Sequence, residues 1–414
     1  MIIRFFKRAG QLIVIPIAVS LAVMLLLAAV FLLPTDRMKD HVRSTASVLE
    51  KEGLYFTITA EAGARHDNFI EALYLDQAIV GTQDESLMNC VMSGYHFVHK
   101  DKADTIDNLV TAVNDPGSVT LENTEYRFFN GQLILLKPLL MLMGYTGIRM
   151  FCAYTCILGT ALLGRLMYKR KLARFILPVM ISILFLRPIA VWMNSSFTLI
   201  YLCMLIPCLV MLGIKKETLR KKAWLIFGIT GSATFCLNMN YFQLLSFGLP
   251  LLICFLITGI PEKPVHVVKT IAGFFIAWMI GYAGAMLFKW AAYSVTTGQN
   301  IFREMIEHAL WRSGINEGSR METICFNAQK AFGNLWWDLV EAGFIFCTLI
   351  QWKKNHMKLK VSAGEIVLLL MMIVIPVGRF AILANHSMIH ADFVYRLFMM
   401  PVLAFNLLLA KRYM

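Results

Sequence analysis

The residues best suited to chemistry fall in two stretches far apart in the chain. The later one reads Asn385-His386-Ser387-Met388-Ile389-His390-Ala391-Asp392-Phe393-Val394-Tyr395-Arg396. His386 and His390 are four apart, so a helix would set them on one face. Such pairs bind zinc in HExxH enzymes, but Ser387 stands where that motif has glutamate, and no metal centre is expected. Together with Tyr395 and Arg396 the pair suits a phosphate or a sugar, because a guanidinium grips two phosphate oxygens at once. A plainer alternative is a polar turn at a membrane surface, with Arg396 reaching for headgroups. The earlier stretch, Glu61-Ala62-Gly63-Ala64-Arg65-His66-Asp67-Asn68, offers carboxylates. A positioned carboxylate can act as general base on a hydroxyl. Asp67 and Glu61 flank Gly63, and Asp67 opens a predicted helix, which singles them out among sixteen acids in residues 35–130. For any one of those acids the ordinary role is solvation of a surface.

Both stretches must be held by a chain that is 58% hydrophobic and only 16% charged. Soluble domains average about 25% charged residues. The composition specifies an all-α polytopic membrane protein, and ten apolar runs are expected to span. They are 11–34, 146–167, 175–186, 196–214, 224–237, 242–260, 268–293, 335–352, 366–384 and 393–410. Lys and Arg cluster before the first run and after the even-numbered ones, as at 169–174, 215–222, 353–360 and 411–412. This places both termini in the cytoplasm and the intervening polar segments outside. The formal charge of +13 is a topology signal of this kind, and no nucleic-acid partner is expected.

The organisation is then a basic N-terminus with the first span (1–34), a large outer loop domain (35–145) and a multi-span bundle (146–414) with an outer loop at 294–334. Residues 35–130 hold sixteen acids and eight bases, a net eight units negative. Within them an amphipathic helix is expected in 61–80. A short apolar helix bearing Lys137, in 131–143, is expected to lie in the outer membrane interface. Seven cysteines sit in apolar runs as packers; Cys90 and Cys325 fall outside and either pair or stay free.

Charge at membrane depth is costly and usually faces a partner or cavity. Arg149, Arg187, Lys289, Arg379 and Arg396 fall at the outer ends of the predicted spans, and Lys137 on the interfacial helix adds a sixth. Lys289 and Arg149 are equally placed to snorkel to headgroups. Gathered together, the six would build a basic pocket for an anionic lipid head.

One span, a long acidic outer loop with a carboxylate, an interfacial helix and then many spans resembles the GT-C superfamily of multi-pass glycosyltransferases. The resemblance covers the architecture of the whole chain and implies a polyprenyl-phosphate sugar as donor and a glycan or lipid-linked acceptor outside the cytoplasm. It implies Asp67 as the catalytic carboxylate by position, with Glu61 as substitute, although no adjacent acidic pair precedes residue 76. The Asp84-Glu85 pair is the alternative counterpart. In this scheme Arg396, Arg379, His386 and His390 hold the departing phosphate, with Tyr395, Arg187 and Lys137 around it. The segments 125–131 and 385–396 also resemble bacterial cell-surface polysaccharide membrane proteins. No glycine-rich nucleotide loop is present, in keeping with a lipid donor. No cofactor is expected, and a divalent cation is left open. Two other classes remain: a transporter or flippase of a lipid-linked saccharide, for which Pro178, Pro207, Pro250 and Pro376 interrupt runs, and a non-catalytic envelope scaffold.

Overall fold

The computed structural model describes residues 2–59, 63–101, 104–237, 241–314, 319–354 and 361–411, with side chains from residue 10 onward. It is nearly all helical. Among the described residues, six helices are long and apolar enough to cross a membrane: Gly10–Phe31, Tyr145–Lys169, Ser195–Gly213, Pro264–Thr297, Ala363–Ile382 and Ala391–Ala410. This is compatible with a membrane protein. Helices also occupy the other four predicted runs, but they are shorter or more polar. Ala173–Leu184 and Leu245–Thr258 fall below spanning length. Lys216–Leu237 opens on Lys216, Glu217, Arg220, Lys221 and Lys222, and Leu335–Lys354 carries Asp338 and Glu341 in its first two turns.

Small residues set the closest helix crossing. Lys216–Leu237 and Pro264–Thr297 meet at Gly231 and Gly281, where a Cβ would collide with the backbone carbonyls of Trp278 and Gly228 on the facing helix. Ser232 sits in the same seam, its Oγ donating to the carbonyls of Gly228 (3.0 Å) and Gly281 (3.1 Å). Backbones that approach this closely gain dispersion contacts that larger side chains would block.

Among the described residues, 36–123 fold as four α-helices, Asp36–Glu52, Asn68–Ile79, Leu87–Met92 and Thr105–Asn114, and one two-stranded sheet whose strands flank the last of them. The sheet is the departure from an all-α chain. Tyr95–His99 pairs antiparallel with Val119–Asn123, Phe97 opposite Leu121, and Tyr95, Phe97, Val98, Val119 and Thr120 are residues that favour strands. One expectation for this region is corrected. Asn68–Ile79 is not amphipathic: apart from Phe69 every residue is buried, polar ones included. Leu133–Leu142 packs one side onto its neighbours, burying Leu133, Leu136, Lys137, Leu139 and Leu140. Lys137 is fully buried, and its Nζ donates to the carbonyls of Ala78 (2.7 Å) and Val80 (2.9 Å), closing the C-terminal end of Asn68–Ile79. A single apolar cluster runs from Val23 through Leu73 and Leu136 to Leu403, so this segment and the bundle share one core. Cys90 and Cys325 are both free, one buried and one exposed.

Candidate functional site

Asp67 is the N-cap of Asn68–Ile79. Its Oδ1 accepts from the Ile70 N–H at 3.2 Å, satisfying one of the free donors of the first turn. The residue is 1% exposed, and Oδ2 has no hydrogen-bond partner among the described residues. Loss of water pushes its carboxyl up to about 7; the Tyr241 hydroxyl approaches it, outside hydrogen-bond geometry, and offsets part of the rise. Burial, reinforced by Arg149, pushes the neighbouring His66 imidazole down to about 4. Glu61 lies outside the described residues.

Three clamps fix this turn against the bundle. Glu71 accepts from the backbone N–H and hydroxyl of both Ser195 and Ser196, at 2.8–3.2 Å, and from the Tyr145 hydroxyl at 3.1 Å. A carboxylate at the start of Ser195–Gly213 is favoured by the free N–H groups there. Arg149 grips Glu52 with two bonds of 2.6 Å and also donates to Asn68 Oδ1 at 3.0 Å. The third clamp is the Gly63 carbonyl, which accepts from Arg396 Nη2 (3.0 Å) and the Tyr395 hydroxyl (3.2 Å). Gly63 has φ +75, and a Cβ there would collide with the Tyr395 ring, so the turn requires glycine.

Beyond Tyr241 lies a cavity of about 540 Å³ between Pro264–Thr297 and Ala363–Ile382. Its walls include Phe275, Trp278, Met286 and Ile375, and exposed Met279 and Val374 stand at its side opening. Its polar end gathers Arg127, Arg312, Arg379, His308 and His386, and no carboxylate lines it. Along the helix from Phe275 to Trp290 the groove extends roughly 22 Å at 1.5 Å per residue.

The three arginines at this end differ in how they are held. Arg379 donates to Ser387 Oγ (2.6 Å), the Tyr241 carbonyl (3.3 Å) and His386 Nδ1 (3.1 Å). A guanidinium only donates, so Nδ1 of His386 must be the bare nitrogen. Burial and then Arg379 hold that imidazole well below its ordinary value, and burial with Arg312 and Arg379 pushes His390 down to about 4. Arg127 Nη1 donates to His308 Nε2 at 2.7 Å and its Nη2 meets Glu125 at 3.1 Å. Arg312 makes no hydrogen bond or ion pair among the described residues; burial and Arg127 lower its pKa. Fixed positive charge with neutral histidines is an arrangement for an anion. No group of three or more His, Cys, Asp or Glu side chains that could hold a metal ion occurs among the described residues.

The predicted residues divide. Arg379 and His386 line the groove, and His390 packs beside them, its ring 4.6 Å from His386 and 5.1 Å from Tyr241. The other cations are turned inward. Arg396, fully buried, donates among the described residues to the carbonyls of Leu186, Asp392, Phe393 and Gly63. Arg187, in the left-handed region at φ +53, donates to the carbonyls of Phe185, Lys330 and Ala331. Lys289 Nζ donates to the Met92 carbonyl at 2.5 Å, closing Leu87–Met92 as Lys137 closes its helix. Asp84 accepts from Gly81 N–H and Glu85 from Asn89, both within a local turn.

Sequence reasoning missed Arg127, His308, Arg312 and Tyr241. Met305, His308 and Arg312 repeat at three- and four-residue spacing along Phe302–Ser313, a one-sided pattern that was available to find the face. Tyr241 was visible only as part of a polar elbow. It joins the two halves of the site, its hydroxyl toward Asp67 and its ring against His386 and His390.

No protein-family model, curated protein or solved structure matches the chain.

Proposed function

We propose that this chain is a multi-pass membrane glycosyltransferase of the GT-C type. It takes a sugar from a polyprenyl-phosphate donor and transfers it to a glycan or lipid-linked acceptor on the outer face of the cell membrane. In this reading the predicted runs form ten spans, the termini are cytoplasmic and residues 35–145 form the outer domain. The observation that carries it is the junction at Tyr241, which stands between a buried carboxylate and an apolar groove that ends in fixed positive charge.

The groove volume lies in the range of small-molecule sites. Its apolar part takes the isoprenoid and its cationic end takes the phosphate. Asp67 removes the proton from the acceptor hydroxyl as that oxygen bonds to the anomeric carbon. The bond from that carbon to the phosphate oxygen breaks, and the electron pair leaves on the phosphate. Arg379, Arg312 and Arg127 stabilise the charge that grows there. A carboxyl titrating near 7 suits base work at neutral pH. Arg396 and Tyr395 act at one remove, by fixing the Gly63 turn that carries Asp67.

Purified protein in lipid nanodiscs, supplied with a polyprenyl-phosphate sugar and a glycan acceptor, should form a new glycosidic linkage and release polyprenyl phosphate. Binding of polyprenyl phosphate should exceed that of the uncharged polyprenol at least tenfold. Equal binding of the two removes the phosphate assignment. Tight phosphate-dependent binding with no transfer, unchanged in Asp67→Asn, would favour a carrier of lipid-linked saccharide over an enzyme.

A further inference from the structure

A second groove, of about 770 Å³, lies between the first helix, Lys216–Leu237 and Pro264–Thr297. Chain direction places it at the end of the bundle away from Asp67: Leu12 is near the start of the first helix, Arg220 is in the first turns of the second, and Lys269 is in the first turns of the third. Its mouth carries exposed Arg220 and Lys269 beside Trp224, and no carboxylate lines it. Arg220 uses one N–H on the Thr258 carbonyl at 3.1 Å. Its remaining donors have no partner among the described residues, and Lys269 makes no hydrogen bond or ion pair among them. Below the mouth the lining is apolar, through Phe274 and Ala277 to Ile280. From Lys269 to Ile280 the depth is roughly 16 Å at 1.5 Å per residue, about half of a ~30 Å hydrocarbon layer. At Gly273 an added Cβ would meet nothing within 4 Å, so the groove is open along this helix.

We infer that this groove binds an anionic phospholipid of the leaflet opposite the candidate active site. One acyl chain lies over Gly273, and the phosphate sits between Arg220 and Lys269. Depth matched to one leaflet argues for an acyl chain, and two cations with spare donors argue for a charged head. Trp224 adds an aromatic ring at headgroup level. The inference rests on membrane insertion and is independent of sugar transfer.

Delipidated full-length protein in detergent tests it by native mass spectrometry and thermal unfolding. The probes are phosphatidylglycerol and phosphatidylcholine with identical chains. Phosphatidylglycerol should bind at least tenfold more tightly and raise Tm more. Arg220→Gln with Lys269→Gln should erase that preference while retaining weak binding of both lipids. Gly273→Leu, which fills the groove without touching a charge, should weaken both lipids at least tenfold. The soluble headgroup glycerophosphoglycerol should not compete. Equal affinity for the two lipids, an unchanged preference in the charge variant, unchanged binding in Gly273→Leu, or full competition by the headgroup alone would each overturn the inference.

Discussion

Two sets of cations at the same end of the molecule have opposite surroundings. Lys137, Lys289, Arg187 and Arg396 are spent on backbone carbonyls, mostly at the ends of helices or turns. Arg127, Arg312 and Arg379 converge on a cavity without a carboxylate. The first set closes orphan acceptors that would otherwise be costly to bury, and favourable helix dipoles reinforce it. In the second set Arg312 leaves its positive charge facing open space. A basic residue at membrane depth is therefore not yet a ligand-binding residue. What matters is where its N–H groups end.

The largest effect is expected where the two sets meet. Asp67→Asn keeps a cap for Asn68–Ile79 and should cut transfer roughly a thousandfold, within the usual range for loss of a general base. Steady-state rates between pH 5 and 9 should rise through about pH 7 in the parent and lose that limb in the variant. Stability should move the other way. The carboxyl starts from an ordinary value of 3.8 and is raised to about 7 by burial, so the folded state holds the proton over that window. Its contribution to stability falls as pH rises from about 4, by at most ~4 kcal/mol at pH 8. Asp67→Asn should consequently melt higher than the parent at pH 8 and no higher at pH 3. Melting curves that run parallel at both pH values would dissociate the carboxyl from its burial.

Next in size is Arg396→Met. It abandons four buried carbonyls and should lower stability by roughly 3–5 kcal/mol, seen as a large drop in Tm. Lys137→Met abandons two, and about 2–3 kcal/mol is expected. The smallest and most discriminating effect is that of Arg312→Gln. Polyprenyl phosphate binding should weaken about tenfold, ~1.4 kcal/mol, with Tm unchanged. A stable Arg396→Met with weakened phosphate binding, or an unstable Arg312→Gln with normal binding, would exchange the roles of the two sets.

Much of the helical layout was legible in the sequence, because long apolar runs bounded by basic residues have few alternatives. The helix start at Asp67 and Asn68 was legible too, since a short carboxylate before an apolar stretch is a cap signal. The direction of each cation was not. Arg379 and Arg396 share residue type, depth and side, and only the fold decides that one meets Ser387 and His386 while the other meets the Gly63 carbonyl. Asn68–Ile79 misled for a related reason. Its polar residues Glu71 and Asp76 read as a solvated face, yet Glu71 finds Ser195 and Ser196, and Asp76 Oδ1 accepts the Phe97 N–H at 3.1 Å. Partners more than twenty positions away leave no periodic trace.

The latch at Gly63 also has a consequence in time. A ribosome delivers residue 63 long before residue 396, yet the carbonyl of the one waits for the guanidinium of the other. The turn bearing Asp67 cannot reach its final setting until residue 396 has been made. A chain interrupted before residue 396 lacks this latch, and the segment that carries Arg396 completes the turn.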